Sequence, residues 1–355
     1  MIAIILFFIV LGILIFSHEF GHFIVAKKSG IRVDEFAFGF PPRLFSVKKG
    51  ETTYSFNLIP FGGFVKIHGE DDSSLCTDVE DPRSFASKPA FIKSGVLLAG
   101  VFFNLLLAWL LISLGFIIGL PTSVSSVPAG AEIKDVKIVI IDVVQNSPAQ
   151  LAGLKTGDEL VGFSKVEEVK KMIDGNKGKK IKIMYKRGKE ILSTELMPRI
   201  SPPPGEGAIG IAMDEVGILK LPWYWAPWEG LKMTYELTIS IALAVFYFFV
   251  NLIKGLTGLE GVMGPVGIVG ATNTVAHLGF SYLLSFVALL SINLAVINII
   301  PFPALDGGRI LFLLIEKIKG SPINTRVTNT IHNIGFALLL ILMLAITYRD
   351  ILRLI

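Results

Sequence analysis

Long apolar runs occur at four places in this chain: Ile2 to about Ala26, Val96 to Leu120, Phe280 to Ile300 and Ile331 to Tyr348. Each is close to the roughly 20 residues that an α-helix needs to cross the hydrocarbon core of a bilayer. Over the whole chain, 52% of the residues are hydrophobic and 17% are charged, whereas soluble domains have about 25% charged residues. The sequence therefore predicts a membrane protein with about four transmembrane helices and disfavours a nucleic-acid-binding function.

The first of these runs has the apolar character of a signal peptide. However, no basic residue precedes it and no small-residue cleavage site follows it. Its helical pattern continues through His18 to Ala26, where Lys27 follows. We therefore expect an uncleaved first span.

The distribution of basic residues indicates how the spans are oriented, because Lys and Arg are enriched in cytoplasmic loops near the ends of spans. Two connecting segments are basic. The one between the first and second spans contains Lys27, Lys28, Arg32, Arg43, Lys48, Lys49, Lys66, Arg83, Lys88 and Lys93, and the one between the third and fourth contains Arg309, Lys317, Lys319 and Arg326. We expect both segments in the cytoplasm, and both termini and the long central segment outside.

The stretch from Thr234 to Val250 is also apolar enough to cross a bilayer, and a crossing there would invert the orientation of everything after it. It contains Glu236 and follows an aromatic cluster typical of the membrane interface, formed by Trp223, Tyr224, Trp225 and Trp228. The sequence therefore favours a helix that lies on or dips into the outer surface.

Between Pro121 and about Met213 the apolar runs give way to the alternation that is typical of strands. Ile181–Lys186 and Ile191–Leu196 predict a hairpin with its turn at Arg187 and Gly188. A compact β-rich domain, inserted between the spans, fits this pattern.

Within this insert, the segment SPAQLAGLKTGDEL from Ser147 to Leu160 closely resembles the most recognisable part of PDZ domains. The resemblance implies that Lys165–Ile173 is the groove helix and that Gly207–Ile211 is the carboxylate-binding loop and its strand, with Gly210 and Ile211 in contact with the ligand. This order implies the circularly permuted arrangement found in bacteria, which binds the C-terminus of an extended peptide as an added strand. A small β domain without a ligand is the alternative.

An HExxH pattern, His18-Glu19-Phe20-Gly21-His22, lies near the end of the first span. Residues four apart share one face of a helix, so both imidazoles can bind one Zn²⁺ while Glu19 points toward the metal-bound water as general base. Such polar groups in a membrane span are costly unless they are paired or functional. The alternative is a polar helix end that faces water.

A catalytic zinc needs a third protein ligand, and Asp306 is the candidate. It lies in the segment NIIPFPALDGG, which runs from Asn298 to Gly308, directly after the third span and on the side where the HExxH helix ends. The prolines stop the helix and the glycines allow a sharp turn, so that the carboxylate can reach the metal. Taken alone, Asp-Gly-Gly is an ordinary turn, but together with HExxH it predicts a zinc ligand.

These motifs together resemble the site-2 protease family of intramembrane zinc metalloproteases, and most closely its bacterial RseP-like group, here with a single PDZ domain. The resemblance covers nearly the whole chain, and its segments in family order are HExxH, IPFGGFVK (59–66), GVFFN (100–104), the PDZ-like insert, GPVGI (264–268) and NxxPxPxLDGG (298–308). It implies that His18, His22 and Asp306 bind Zn²⁺ and that Glu19 is the catalytic base. It further implies that Asn104 and Asn298 hold the substrate.

The family resemblance also gives a role to the first loop, because a transmembrane substrate must unwind before its shielded peptide bonds can be hydrolysed. Thr53–Ile67 alternates and contains Pro60, Gly62 and Gly63, which favours a hairpin that dips into the membrane. Its edge, at Gly62 and Gly63, can receive the unwound substrate as an added strand. The alternative is an amphipathic hairpin at the surface.

The predicted fold is therefore a membrane α-helical protein with a membrane-associated β-hairpin and an inserted, β-rich, circularly permuted PDZ domain. Its predicted segments are a first transmembrane helix with HExxH (1–26), a cytoplasmic-side loop with the hairpin (27–95), a second transmembrane helix (96–120), an extracytoplasmic PDZ domain (121–215), interfacial helices with the GPVGI loop (216–279), a third transmembrane helix with LDGG (280–308), and a fourth transmembrane helix with the C-terminus (309–355).

The predicted function is zinc-dependent intramembrane endoproteolysis in the bacterial cytoplasmic membrane, with the active site toward the cytoplasm. By resemblance, the substrates are single-span membrane proteins that another protease has already cut, of the anti-sigma factor or residual signal peptide type. The other expected partners are the lipid bilayer and a peptide C-terminus at the PDZ domain. The alternative for this domain is that it filters substrates by size.

Two rival functions are a non-catalytic membrane scaffold, whose PDZ domain gathers partners, and a metal carrier. A scaffold has no need of the polar set His18, Glu19, His22 and Asp306. A single closed site offers a carrier no relay of polar groups across the membrane.

Overall fold

The computed structural model describes residues 2–70, 81–128, 130–188, 190–203, 205–255, 262–321 and 323–352. It divides into two compact units. The helical unit comprises residues 1–112, 230–276 and 286–355, and the sheet unit comprises residues 113–229 and 277–285.

Nine α-helices and eight strands are found in the described residues. In chain order they are α1 (Ile2–Lys28), β1 (Val33–Lys49), β2 (Thr52–Ile67), α2 (Ala90–Ile118), β3 (Leu120–Ser123), β4 (Ile133–Val143), α3 (Pro148–Leu151), β5 (Glu159–Leu160), α4 (Val166–Gly175), β6 (Ile181–Arg187), β7 (Glu190–Leu196), β8 (Ile211–Leu219), α5 (Ala226–Ile253), α6 (Pro265–Leu278), α7 (Phe280–Ile299), α8 (Asp306–Lys319) and α9 (Thr325–Leu352).

Helices α1, α2, α7 and α9 cover the four segments predicted to be spans. Among the described residues, five helices are long and apolar enough to cross a membrane, one more than the predicted count of about four. The additional helix is α5, which contains the stretch Thr234–Val250. Its 28 residues extend the apolar stretch at its N-terminal end, so its length alone is sufficient for a span.

Helices α1 and α2 approach each other closely and run in opposite directions. The hydroxyl of Ser17 donates to the carbonyl oxygen of Phe103 (3.0 Å), while Nδ1 of His22, further along α1, lies 2.8 Å from the carbonyl oxygen of Val96. A Cβ at Gly21 would overlap the backbone of Ala99. The absence of a side chain at Gly21 therefore lets the two helix backbones touch beside the HExxH motif.

The first loop forms a small sheet that differs from the predicted hairpin. In that prediction the two halves of Thr53–Ile67 pair with each other. In the structure both flank Val33–Phe40: Phe36 lies opposite Val65 on one side and Tyr54 on the other, and the remainder of β1 pairs with the start of β2. Pro60 to Gly62 form the bend that carries β2 around the end of Val33–Phe40. The segment Gly63–Ile67 is consequently at an edge of this sheet.

A buried carboxylate joins α9 to α6 within the helical unit. Oδ2 of Asp350 accepts hydrogen bonds from the backbone N–H groups of Gly264 and Gly267, each at 2.8 Å. Asp350 is 5% exposed. The GPVGI segment is therefore held at the end of α9.

The sheet unit contains a six-stranded antiparallel sheet in the order β3-β8-β4-β5-β6-β7. The predicted hairpin is present as β6 and β7, and α4 covers most of the segment Lys165–Ile173. Its apolar core includes Ile138, Ile140, Val169 and Ile183.

A buried ion pair stabilises the sheet unit. Asp158 is 1% exposed and accepts two 2.7 Å hydrogen bonds from the guanidinium of Arg187 and one from the backbone N–H of Lys155. The hydrogen bonds to Asp158 raise the pKa of Arg187.

Candidate metal centre

The two histidines of the HExxH motif face the same point. Nδ1 of His22 is 2.8 Å from the carbonyl oxygen of Val96, which is an acceptor only, so Nδ1 carries the proton of the neutral ring and Nε2 carries a lone pair. Nε2 of His22 is 3.2 Å from Nε2 of His18. This spacing places two ring nitrogens side by side at one end of the motif.

The turn after α7 brings Asp306 to these nitrogens. Gly307 and Gly308 make this turn possible, because a Cβ at Gly307 would overlap the carbonyl oxygens of Ile299 and Ile300, and one at Gly308 would overlap that of Phe302. Oδ2 of Asp306 lies 3.1 Å from Nε2 of His18 and 3.4 Å from Nε2 of His22.

The three converging atoms form a triangle with sides of 3.1, 3.2 and 3.4 Å. Tetrahedral zinc, with bonds of about 2.0–2.1 Å, spaces its ligands about 3.3–3.4 Å apart. His18, His22 and Asp306 are the one group of three His, Cys, Asp or Glu residues in the described part of the chain whose atoms converge in this way. When each neutral imidazole carries its proton on Nδ1, three lone pairs meet with no proton between them, an arrangement that a cation stabilises.

Helix α2 leaves room for the two imidazoles. A Cβ at Gly100 of α2 would overlap Nε2 of His22 and lie 2.6 Å from Cε1 of His18. The glycine therefore leaves the space that the imidazoles occupy.

Glu19 and the three ligands line a cavity of about 600 Å³. The cavity is also lined by the edge segment Gly63–Ile67 and by Asn298. Glu19 Cγ would be 3.2 Å from a Cβ at Gly63, so the glycine allows the edge strand to approach the carboxylate. The candidate metal ligands, a carboxylate and a strand edge thus line one cavity.

The structure brings together most, but not all, of the predicted site residues. His18, Glu19, His22, Asp306, Asn298 and Gly63 line the cavity. Gly62 is buried, and the ring of Phe40 occupies the place of its missing side chain. Gly210 and Ile211 belong to the sheet unit, where a Cβ at Gly210 would overlap Ser147.

Asn104, predicted to contact substrate, is not among the residues that line the cavity. Its side chain is fully buried, with Nδ2 3.3 Å from Nδ1 of His18.

Two other polar groups near the ligands were not predicted from the sequence to have a role in this site. Arg309 forms an ion pair with Glu70, and both line the cavity. Nδ1 of His332 accepts a 2.9 Å hydrogen bond from the backbone N–H of Ala304, whose φ of 76° is left-handed. The position of Arg309, three residues after Asp306 on α8, was the one signal available for these contacts, because helical residues three apart share a face.

Known proteins resemble this chain over nearly its full length. The sequence model described as peptidase family M50 matches residues 6–342. The chain belongs to this family, the site-2 proteases. A putative zinc metalloprotease of Clostridium perfringens is 36% identical over 354 residues, which cover 95% of each chain. A Bacillus subtilis protein named regulator of sigma-W protease RasP is 30% identical over 441 aligned positions, which cover 99% of each chain.

Family membership and the ligand geometry lead to the same conclusion. This M50 protein is a site-2 type zinc metalloprotease of a bacterial membrane, and its cofactor is Zn²⁺. His18, His22 and Asp306 fit a zinc ion by donor type and spacing.

Proposed function

We propose that this M50 protein hydrolyses peptide bonds within the transmembrane segments of single-span proteins whose outer domain another protease has already removed. The observation that carries the proposal is the shared cavity, in which the zinc ligands and Glu19 face the edge segment Gly63–Ile67. A relative named regulator of sigma-W protease supports substrates of the anti-sigma factor type, and residual signal peptides are the second class.

The catalytic roles follow from the positions of the side chains. A zinc ion held by His18, His22 and Asp306 supplies Lewis acidity, which polarises the scissile carbonyl and lowers the pKa of a water. Glu19, in the same cavity, takes the proton from the attacking water and delivers it to the amide nitrogen that leaves.

Substrate binds beside these groups as an added strand. Gly63–Ile67 pairs with Val33–Phe38 on one edge and lines the cavity. An unwound peptide can form main-chain hydrogen bonds with the other edge, and this replaces the helical hydrogen bonds that it loses. Asn298, which also lines the cavity, holds a freed amide of the substrate.

The orientation of the chain follows from its basic residues. Lys27 and Lys28 end α1, and Lys317 and Lys319 end α8. Both ends are cytoplasmic by the preference of Lys and Arg for that side, so the active site opens toward the cytoplasm and the insert between β3 and β8 is extracytoplasmic.

The insert acts as a PDZ-type module that binds the new C-terminus left by the first cut. Residues 211–215 of β8 pair with β4 on one edge, whereas pairing with β3 on the other edge begins at Val216. The backbone N–H of Val166, at the start of α4, donates to Glu215 (2.9 Å). The edge of residues 211–215 beside α4 supports strand addition of a peptide that ends at Gly210.

Cleavage of a defined substrate tests this function. The purified full-length protein in detergent is incubated with a single-span substrate that lacks its outer domain, and the products are weighed by mass spectrometry. We expect cleavage within the span by the wild type, at least 100-fold slower cleavage by Glu19→Gln with its zinc retained, and none after chelation.

A matched variant separates loss of the base from loss of a carboxylate in general. Glu236→Gln removes an exposed carboxylate of α5 and should cleave at the wild-type rate. Wild-type turnover by zinc-loaded Glu19→Gln would contradict the assigned role of Glu19, and products cut only outside the span would contradict intramembrane cleavage.

A further inference from the structure

The amide of Asn104 contains a buried oxygen without a hydrogen-bond partner. The residue has no exposed area, its Nδ2 is 3.3 Å from Nδ1 of His18, and its Oδ1 has no partner. A buried polar atom left in this way costs about 1–3 kcal/mol. The oxygen and nitrogen of an amide exchange places by a 180° rotation that leaves the shape of the side chain almost unchanged.

The role of His18 as a ligand determines which of the two amide orientations is favourable. Nε2 of His18 faces Oδ2 of Asp306 at 3.1 Å, so it is the nitrogen whose lone pair binds the metal. A neutral imidazole that uses Nε2 in this way carries its proton on Nδ1. Nδ1 is then a donor, and it requires an acceptor where Asn104 lies.

The second histidine has this arrangement already. Nδ1 of His22 lies 2.8 Å from the carbonyl oxygen of Val96, a backbone acceptor on α2. Asn104 is two turns further along the same helix, and its own carbonyl oxygen accepts a 2.7 Å hydrogen bond from the hydroxyl of Ser291 on α7. Helix α2 therefore presents one acceptor position to each imidazole. The hydrogen bond from Ser291 of α7 holds the position at Asn104 in place.

We propose that Asn104 is a positioning residue of the zinc site, whose side-chain oxygen accepts the Nδ1–H of His18 and keeps the lone pair of Nε2 on the metal. This inference rests on the assigned ligation through His18. It gives Asn104 a place behind the ligand and leaves Asn298, in the cavity wall, to contact substrate.

Zinc affinity tests this role separately from activity. The full-length protein in detergent is titrated against a chromophoric chelator that competes for Zn²⁺. Asn104→Leu keeps the number and branching of the side-chain heavy atoms but has no acceptor, and we expect it to bind zinc 10- to 100-fold more weakly than the wild type. Asn104→Asp retains an acceptor, and we expect it to bind zinc at least as tightly as the wild type.

Asn298→Leu is the matched control, because it removes an amide that lines the cavity. It should raise KM and leave zinc affinity unchanged. If Asn104→Leu instead behaved like Asn298→Leu, with wild-type zinc affinity and a raised KM, the positioning role would be overturned in favour of substrate contact.

Two further measurements separate misfolding of Asn104→Leu, and a failure of ligation by His18, from the positioning role of Asn104. Should Asn104→Leu not fold, a tenfold loss of zinc affinity in folded Asn104→Asp would equally overturn the proposal. His18→Ala tests the ligand itself: if it bound zinc as tightly as the wild type, the assigned ligation would fail, whatever the result at Asn104.

Discussion

Gly100 shows how strongly a residue without a side chain can constrain a metal centre. It lies on α2 and faces both imidazoles, and the space of its missing Cβ is taken up by His22 and His18. Steric exclusion at this position therefore sets the distance at which the ligands can lie from the neighbouring helix.

Gly100→Ala should weaken zinc binding by at least tenfold, because the new methyl group displaces both rings and cannot itself move away from a helix backbone. Gly95→Ala on the same helix is the control, since a Cβ there meets nothing within 4 Å. That change should leave zinc binding intact and raise the unfolding temperature slightly, as alanine is the better helix former by about 0.5–1 kcal/mol. Zinc content after dialysis against a chelator measures both variants, and equal retention would contradict the steric argument.

Ligand residues could be predicted from local spacing, but their supporting contacts could not. The i, i+4 histidines and the Asp-Gly-Gly turn are short-range patterns in the sequence. The hydrogen bond of Ala304 with His332, in contrast, joins residues 28 positions apart, and the ion pair of Arg309 with Glu70 joins residues 239 apart. Such contacts depend on which helix faces which, and a single sequence does not contain that information.

Strand β1 illustrates what was missed at the scale of secondary structure. The alternation of Thr53–Ile67 predicted β2, whereas Val33–Lys49 was not predicted as a strand. Pro41 and Pro42 interrupt it, and proline cannot donate to a strand ladder. In the structure Val33–Phe38 pairs with both Gly63–Ile67 and Thr53–Phe56, and Arg43–Lys49 pairs with Thr52–Asn57, so strand pairing continues on both sides of the prolines. The bend at Pro60–Gly62 of β2 then leaves Gly63–Ile67 at the edge beside the metal site.

In the sheet unit, the stability of the strands around β6 should depend on the buried ion pair of Asp158 and Arg187. Arg187→Met leaves the carboxylate of Asp158, which is 1% exposed, without its cation. Breaking a buried pair costs about 3–5 kcal/mol, and partial exposure of the guanidinium reduces our expectation to about 2 kcal/mol.

This loss of stability is measured by heating the full-length protein and recording the temperature at which a protease begins to cut within the insert. Lys137→Met is the matched control, because the side chains of Lys137 and Glu159 are 42% and 24% exposed and such pairs contribute about 0–1 kcal/mol. An equal effect of the two substitutions would show that burial of Asp158 is not the source of the stability.

The helical unit as a whole constrains where α5 can lie. His332 meets the loop before Asp306, and Asp350, at the other end of α9, meets Gly264 and Gly267. At a rise of 1.5 Å per residue these two points on α9 are about 27 Å apart, close to the thickness of the bilayer core. Gly264 therefore lies about one bilayer thickness from the loop before Asp306. This length of α9 limits where the chain after α5 can lie, and an interfacial position for Thr234–Val250 stays a prediction.

Labelling with a membrane-impermeant maleimide tests this topology. In a Cys76→Ser background, Trp223→Cys and Lys254→Cys flank α5, and both should be labelled in intact cells or spheroplasts. Lys28→Cys, at the end of α1, should be labelled only after permeabilisation. If Lys254→Cys behaved like Lys28→Cys, α5 would cross the membrane and the assigned orientation would need revision.

The ligands of the metal are widely separated in the chain, with His18 and His22 near its start and Asp306 near its end. The ribosome adds about 5–20 residues per second, so Asp306 is synthesised roughly 15–60 s after His22. During that interval the nascent chain already presents HExxH to the membrane but lacks a complete ligand set. The order of synthesis thus keeps the protease inert until Asp306 has been added, and a chain that terminates before Asp306 cannot damage its neighbours.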